Sequence, residues 1–188
     1  MTRGLGAILV GGKASRMGGV PKGLLLAPSG ETVIARTAGL LAAAGLHVVL
    51  VGDRIEYATL GHPCLPDDPR ALGPLSGLLA ALAHAGERPV TVVACDMPFV
   101  DARLIEMLVT RSSTSPIVAA RREDRLEPLF ARYDPGRVLP VAVDHARAGD
   151  HSLQRLLRAA GVEWIDVDGE EARRLDDWDT PEDVARGR

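Results

Sequence analysis

The chain has 188 residues, of which 46% are hydrophobic, 25% charged and only 3% aromatic, the composition of a soluble domain whose core is Leu, Val, Ile and Ala. A formal net charge of −3 leaves no general basic field, and with so few aromatics it argues against nucleic-acid binding by charge or by base stacking. No run has the apolar length of a bilayer span, Cys64 and Cys95 lack zinc-ligand spacing, and Gly and Lys interrupt the first apolar stretch by position 13; the expectation is a cytoplasmic chain of one domain spanning 1–188, with no membrane association.

In chain order, Leu5–Val10 is a short apolar run of the kind that becomes a strand buried on both faces. The Ala/Leu-rich stretch Thr32–Ala44 has helical periodicity, with Gly45 placed to end it, and His47–Val51 is a second strand. Pro63–Leu72 reads as loop, and Gly73–Gly77 opens a helix that runs to about Ala85. Val90–Cys95 is a third strand, after which "DMPFVDARLIEML" turns into a helix. Pro116–Ala120 and Leu129–Tyr133 read as further strands, Ser152–Ala160 as a helix, and Val162–Val167 as a last strand. In "DTPEDVAR" Thr180 is a natural N-cap, Pro181 fits the first helical position, and Asp183 stands where a capping box closes. Alternating strands and helices predict an α/β fold, a Rossmann-like doubly wound and mostly parallel sheet. Such sheets bind ligands outside the carboxyl ends of their strands. That rule selects the loop after Val10, the loop after Val51, and Cys95–Pro98.

The first of these loops, "ILVGGKASRMGGVPKG" from Ile8 to Gly23, carries the chemistry. It lacks the Gly-Lys-Ser/Thr ending of a phosphate loop, and "GLGAIL" fails the dinucleotide pattern at Leu9. Even so, Gly11, Gly12, Gly18 and Gly19 allow backbone N–H groups to approach an anion, and Arg16, Lys13 and Lys22 bring charge to it. The chain has twenty arginines and two lysines, and both lysines lie in this loop. A compact ammonium is retained where a mobile point charge suits a phosphate.

"LVGGKASRMGGVPKGLL", with its paired glycines, Arg-Met-Gly and following lysine, resembles the opening loop of the molybdenum cofactor guanylyltransferases, within the wider nucleotidyltransferase family. The likeness continues in order through "PDD", "GPLSG", "VVACDMPF", "LEPLFARY", "HSLQRLL" and "DDWDTPED", nearly the whole chain. The resemblance implies a fold of the nucleotide-diphospho-sugar transferase type. It implies transfer of GMP from GTP to molybdopterin with release of pyrophosphate, and Mg²⁺ as cofactor. Molybdopterin-delivering or molybdoenzyme proteins would be its partners. Leu9, Val10 and Gly11 would line the base and ribose, and Gly12, Arg16 and Lys22 would meet the triphosphate. Asp67, with Asp68 as a one-residue alternative, would contact nucleotide; Asp96 would hold Mg²⁺, and Asp177 could help. The catalytic set is then Arg16, Lys22 and Asp96.

Each acid also has a plain structural reading. Asp96 could cap the following helix, Asp67 stands in ordinary turn sequence, and Asp177 lies among acids expected at a helix N-terminus. Cys95 reads as a small buried hydrophobe rather than a nucleophile. Arg125 and the five histidines carry no assigned chemistry. Against the family pattern, Val10 replaces Ala, Pro21 replaces Asp, and Val51 replaces a polar Asn; Pro21 removes one backbone donor and fixes φ. Two alternatives stay open: cytidylyl transfer to molybdopterin or another small phosphate, and a GTP-binding regulatory module without turnover. The Gly11-Gly12 pair favours guanine over cytosine within the family.

Overall fold

The structure, a computed structural model, describes residues 4–11, 21–52 and 55–186. Seven strands form one sheet: β1 (Leu5–Leu9), β2 (His47–Val51), β3 (Cys64–Leu65), β4 (Val90–Ala94), β5 (Ile117–Arg122), β6 (Arg125–Tyr133) and β7 (Val162–Val167). Their order across the sheet is β3-β2-β1-β4-β6-β5-β7. The pairs β1–β2, β1–β4, β2–β3 and β5–β7 are parallel; β6 runs antiparallel to both neighbours. The exception has a local cause. Only Glu123 and Asp124 separate β5 from β6, too few residues for a parallel crossover, and Glu123 takes φ 52° to make the turn.

The strands alternate their side chains between two cores. Leu5, Ala7 and Leu9 of β1 join Val90 and Val92 of β4 under helices α2 (Pro74–Ala85), α4 (Pro135–Arg147) and α5 (Leu153–Ala160). Ile8 and Val93 face the other way, toward α1 (Val33–Ala43) and α3 (Ala102–Thr110). With helices on both faces the expected doubly wound, mostly parallel α/β sheet is present. Helix starts follow the side-chain caps in the sequence: Thr32 accepts from Ala35 N–H, Asp101 from Leu104 N–H, and Ser152 from Arg155 N–H. Gly45, at φ 82°, ends α1 as expected.

Most strand and helix bounds differ from the sequence reading by a residue or two, but β6 begins at Arg125, four residues before the expected Leu129. β1 stops at Leu9 rather than Val10, and β4 at Ala94 rather than Cys95. β5 and β6 are longer than the apolar runs because the hairpin carries polar residues at its tip. Among the strands and α-helices, three were not expected. β3 is two residues long within Pro63–Leu72, α4 contains Pro140, and α6 (Gly169–Arg173) has no buried residue to mark it. Helix α7 (Pro181–Arg186) begins at the expected capping box, in which Thr180 Oγ1 accepts from Asp183 N–H and Asp183 Oδ2 accepts from Thr180 N–H. No helix among the described residues is long and apolar enough to cross a membrane.

Candidate active site

The carboxyl ends of β1, β2 and β4 lie side by side, so the residues just beyond them meet. Gly52, at φ 138°, packs against Gly11 so closely that a Cβ there would lie 2.7 Å from the Gly11 nitrogen. Across from this contact stands Asp67. A Cβ at Gly11 would be 3.4 Å from Asp67 Oδ2, and one at Gly77 would be 3.4 Å from Asp67 Oδ1 and 2.1 Å from Leu9 Cδ2. At Gly77 it is Leu9, not Asp67, that excludes a side chain, while the Asp67 carboxylate stands at ordinary contact distance from both glycines, above the β1 exit and the start of α2. Ser76 Oγ donates to the Gly73 carbonyl at 2.6 Å and reaches Asp67 Oδ1 at 3.1 Å. Asp68 is engaged elsewhere: its carboxylate holds Arg70 Nη2 at 2.6 Å and Nε at 2.9 Å within its own turn. Between the two acids, Asp67 is the one that faces Gly11.

Leu9 and Val10 are at the same place, but their side chains are buried in the two cores. Leu9 C=O already accepts from Cys95 N–H, and Val10 N–H donates to Val51 C=O. Val51 is wholly buried, packed in the same core as Leu75 and Leu78. Gly12 and Arg16 lie outside the described residues.

Lys22 opens a short 3₁₀ turn, Lys22–Leu24. Pro21 sits at φ −62° and its carbonyl accepts from Leu24 N–H at 3.0 Å, so the proline sets the entry to that turn. On the far side Gly23 N–H donates to Tyr57 Oη at 3.2 Å, and a Cβ there would crowd Tyr57 and Ile34 at 3.1–3.2 Å. Held at both ends, Lys22 extends its ammonium to Asp96 Oδ2 at 3.0 Å and Asp179 Oδ1 at 2.5 Å. Partial burial pulls the Lys22 pKa down, but the hydrogen bond to Asp179 and the Asp96 charge outweigh it, and the group stays above its ordinary 10.5.

Asp96 follows β4, and its backbone carbonyl accepts from Trp178 N–H at 2.9 Å. That bond brings the segment before α7 alongside the end of β4. Trp178 is buried with Ala27, Val33 and Val184 and meets Phe99 edge-on at 5.9 Å. Its neighbours Asp177 and Asp179 converge on Asp96: one oxygen from each of the three carboxylates lies within 4.8 Å of the others. Loss of hydration, then the charges of Asp96 and Asp179, raises the Asp177 pKa above its ordinary 3.8. The capping box steadies the arrangement, since Asp183 Oδ2 also accepts from Asp179 N–H at 3.2 Å. Arg122 ties the segment to the sheet by bonding Asp176 at 2.8 Å and the buried Glu127 at 2.7 Å.

The sequence singled out Lys22, Asp96 and Asp177, and the structure brings all three together. Asp179 was missed. Its signal was the Asp-Trp-Asp alternation, which puts both acids on one side of an extended segment once the tryptophan turns inward. Three carboxylates offering hard oxygen ligands fit a small divalent cation such as Mg²⁺. Beside them Cys95 is buried, and burial followed by the Asp96 charge pushes its thiol up to about 12.

The chain resembles known proteins over most of its length. Residues 6–165 match the model of the MobA-like NTP transferase domain. The molybdenum cofactor guanylyltransferase of Pseudomonas putida is 35% identical over 179 residues, covering 93% of this chain and 92% of the relative. That of Serratia proteamaculans is 32% identical over 172 residues, covering 89% and 85%. Among solved structures, molybdopterin-guanine dinucleotide biosynthesis protein A of Archaeoglobus fulgidus shares the fold with a TM-score of 0.79. It is 23% identical, with 97% of this chain and 95% of that one covered. By its match to the family model and its likeness to these relatives, the chain belongs to the MobA-like NTP transferase family.

Proposed function

We propose that this chain transfers a guanylyl group from GTP to molybdopterin, forming the guanine dinucleotide and releasing pyrophosphate. The observation that carries the reading is the meeting of Lys22, Asp96, Asp177 and Asp179 beyond β4, in a chain 35% identical to a molybdenum cofactor guanylyltransferase across 93% of its length.

In this reading the nucleotide base and ribose lie by Gly11, between Gly52 and Asp67, and the phosphates extend toward Lys22. The Lys22 ammonium donates hydrogen bonds to phosphate oxygens and stabilises charge on the departing pyrophosphate. Gly12 and Arg16 would meet the same phosphates. Asp96, with Asp177 and Asp179, would hold Mg²⁺, which when bound neutralises phosphate charge and polarises the P–O bonds. An oxygen of the molybdopterin phosphate forms a bond to the α-phosphorus of GTP. As it does, the bond from that phosphorus to the bridging oxygen of pyrophosphate breaks, and the oxygen leaves with the electron pair. No protein nucleophile takes part: the nearest candidate, the Cys95 thiol, is buried and protonated across the neutral range. The chain's contribution is positioning and fixed charge.

The test is product identification. Purified protein incubated with GTP, Mg²⁺ and molybdopterin should yield molybdopterin guanine dinucleotide by mass spectrometry, with one pyrophosphate for each. GTP bound without any dinucleotide formed would overturn the reading in favour of a regulatory module.

A further inference from the structure

A divalent ion at this site would need oxygens from Asp96 and Asp179, and those two carboxylates already share a cation. The Lys22 ammonium bonds Asp96 Oδ2 at 3.0 Å and Asp179 Oδ1 at 2.5 Å, so it stands between the acids rather than beside them. Three carboxylates within 4.8 Å repel one another unless a positive charge sits among them. The lysine supplies that charge from within the chain.

We propose that Lys22 is the resident cation of the metal site. In the nucleotide-free protein it closes the Asp96–Asp179 pair against divalent ions, and the polyphosphate of the incoming nucleotide draws it away. The inference rests on reading Asp96, Asp177 and Asp179 as a metal site. It goes beyond that reading by coupling metal entry to nucleotide binding through one side chain.

Three features suit Lys22 to the exchange. Its backbone is fixed, by Pro21 before it and by the Gly23–Tyr57 bond after it, so the ammonium can leave while the Lys22–Leu24 turn stays in place. Its stem is a flexible four-carbon chain, and the ammonium has three donors, which a phosphate can take as readily as a carboxylate. Mg²⁺ gives up its water reluctantly and is commonly held by one or two carboxylates plus substrate phosphates. An ammonium already bridging the two acids is therefore a strong competitor for the bare ion and a weak one for the ion bound to nucleotide. A chain with twenty arginines keeps a lysine here. A guanidinium holding both carboxylates through its rigid fork would release them less readily.

The test is Mn²⁺ binding to the nucleotide-free full chain, read by electron paramagnetic resonance, which needs no turnover. Lys22→Ala and the near-isosteric Lys22→Met should each bind Mn²⁺ about tenfold or more tightly than the wild type, because a competing charge within contact distance is gone. Lys22→Arg, which keeps the charge, should bind no better than wild type. Adding Asp179→Asn to Lys22→Met should reverse the gain. Equal affinity in the wild type and both neutral variants would overturn the resident-cation proposal and leave the metal site standing. Failure of every folded variant to bind Mn²⁺ would overturn the metal site itself and the proposal with it. Circular dichroism on each variant confirms that it is folded.

Discussion

The backbone N–H of Trp178 donates to the carbonyl of Asp96 at 2.9 Å, joining positions that are distant in sequence at the mouth of the site. With Trp178 buried, the acids on either side of it turn toward Asp96. A residue with no polar role in the chemistry thus decides where two carboxylates stand.

Trp178→Ala should destabilise the fold by about 3–5 kcal/mol, the usual result of emptying a large aromatic site, and weaken Mn²⁺ binding as Asp177 and Asp179 lose their register. Trp178→Phe should be much milder. It keeps a ring against Phe99 and removes an indole N–H that is buried without an acceptor among the described residues. Urea denaturation with a parallel Mn²⁺ titration checks both, and equal losses for Ala and Phe would contradict the account.

Lys22→Ala and Asp96→Asn should each lower kcat by about 10²–10³, the scale for removing one preorganised group, while Asp144→Asn, exposed on α4 away from the site, should leave it unchanged. For Lys22→Ala, metal affinity without nucleotide and turnover should move in opposite directions. Steady-state pyrophosphate release measures the rates. Near-normal kcat in both site variants would remove Lys22 and Asp96 from the chemistry.

Gly52→Ala meets two obstacles at once. Its φ of 138° is a conformation that side chains avoid, and the new Cβ would press on the backbone of Gly11. A destabilisation of about 2 kcal/mol or more is expected, with weaker nucleotide binding because the β1 exit must shift. Gly30→Ala, also at positive φ but with nothing within 4 Å, bears the conformational strain alone and should leave nucleotide binding unchanged. Denaturation midpoints and nucleotide titrations separate the two effects.

Cys64 is exposed, whereas Cys95 is buried with its thiol raised to about 12 by burial and then by the Asp96 charge. A raised thiol pKa keeps the proton on sulfur and the nucleophile absent until the pH nears that value. Iodoacetamide at pH 8 should therefore alkylate Cys64 alone, and Cys95 only after unfolding. Peptide mass spectrometry reads the outcome, and modification of both at one rate would show that Cys95 is open to solvent.

The sheet was legible where apolar runs stood alone. β1, β2 and β4 appear in the sequence as unbroken stretches, because a strand covered by helices on both faces has no polar side to show. Helix α4 was hidden by Pro140, which reads as a helix breaker but sits inside the helix, where Val138, Ala142 and Ala146 pack as part of the core. The two residues of β3 carry too little pattern to be read at all. In the site, Lys22 and Asp96 stood out by rarity and by position at a strand end. Asp179 did not, since five acids lie between 176 and 183. Only the burial of Trp178 sets two of them apart. Asp67 and Asp68 could be told apart only by their partners, because adjacent acids in a turn differ in direction and not in chemistry.

The most direct measurement is pyrophosphate release with GTP, CTP, ATP and UTP side by side, each with Mg²⁺ and purified molybdopterin. The account predicts that GTP is used with a kcat/KM about tenfold or more above the other three, the scale of discrimination by pocket shape. Equal use of CTP, or no release with any nucleotide, would contradict it.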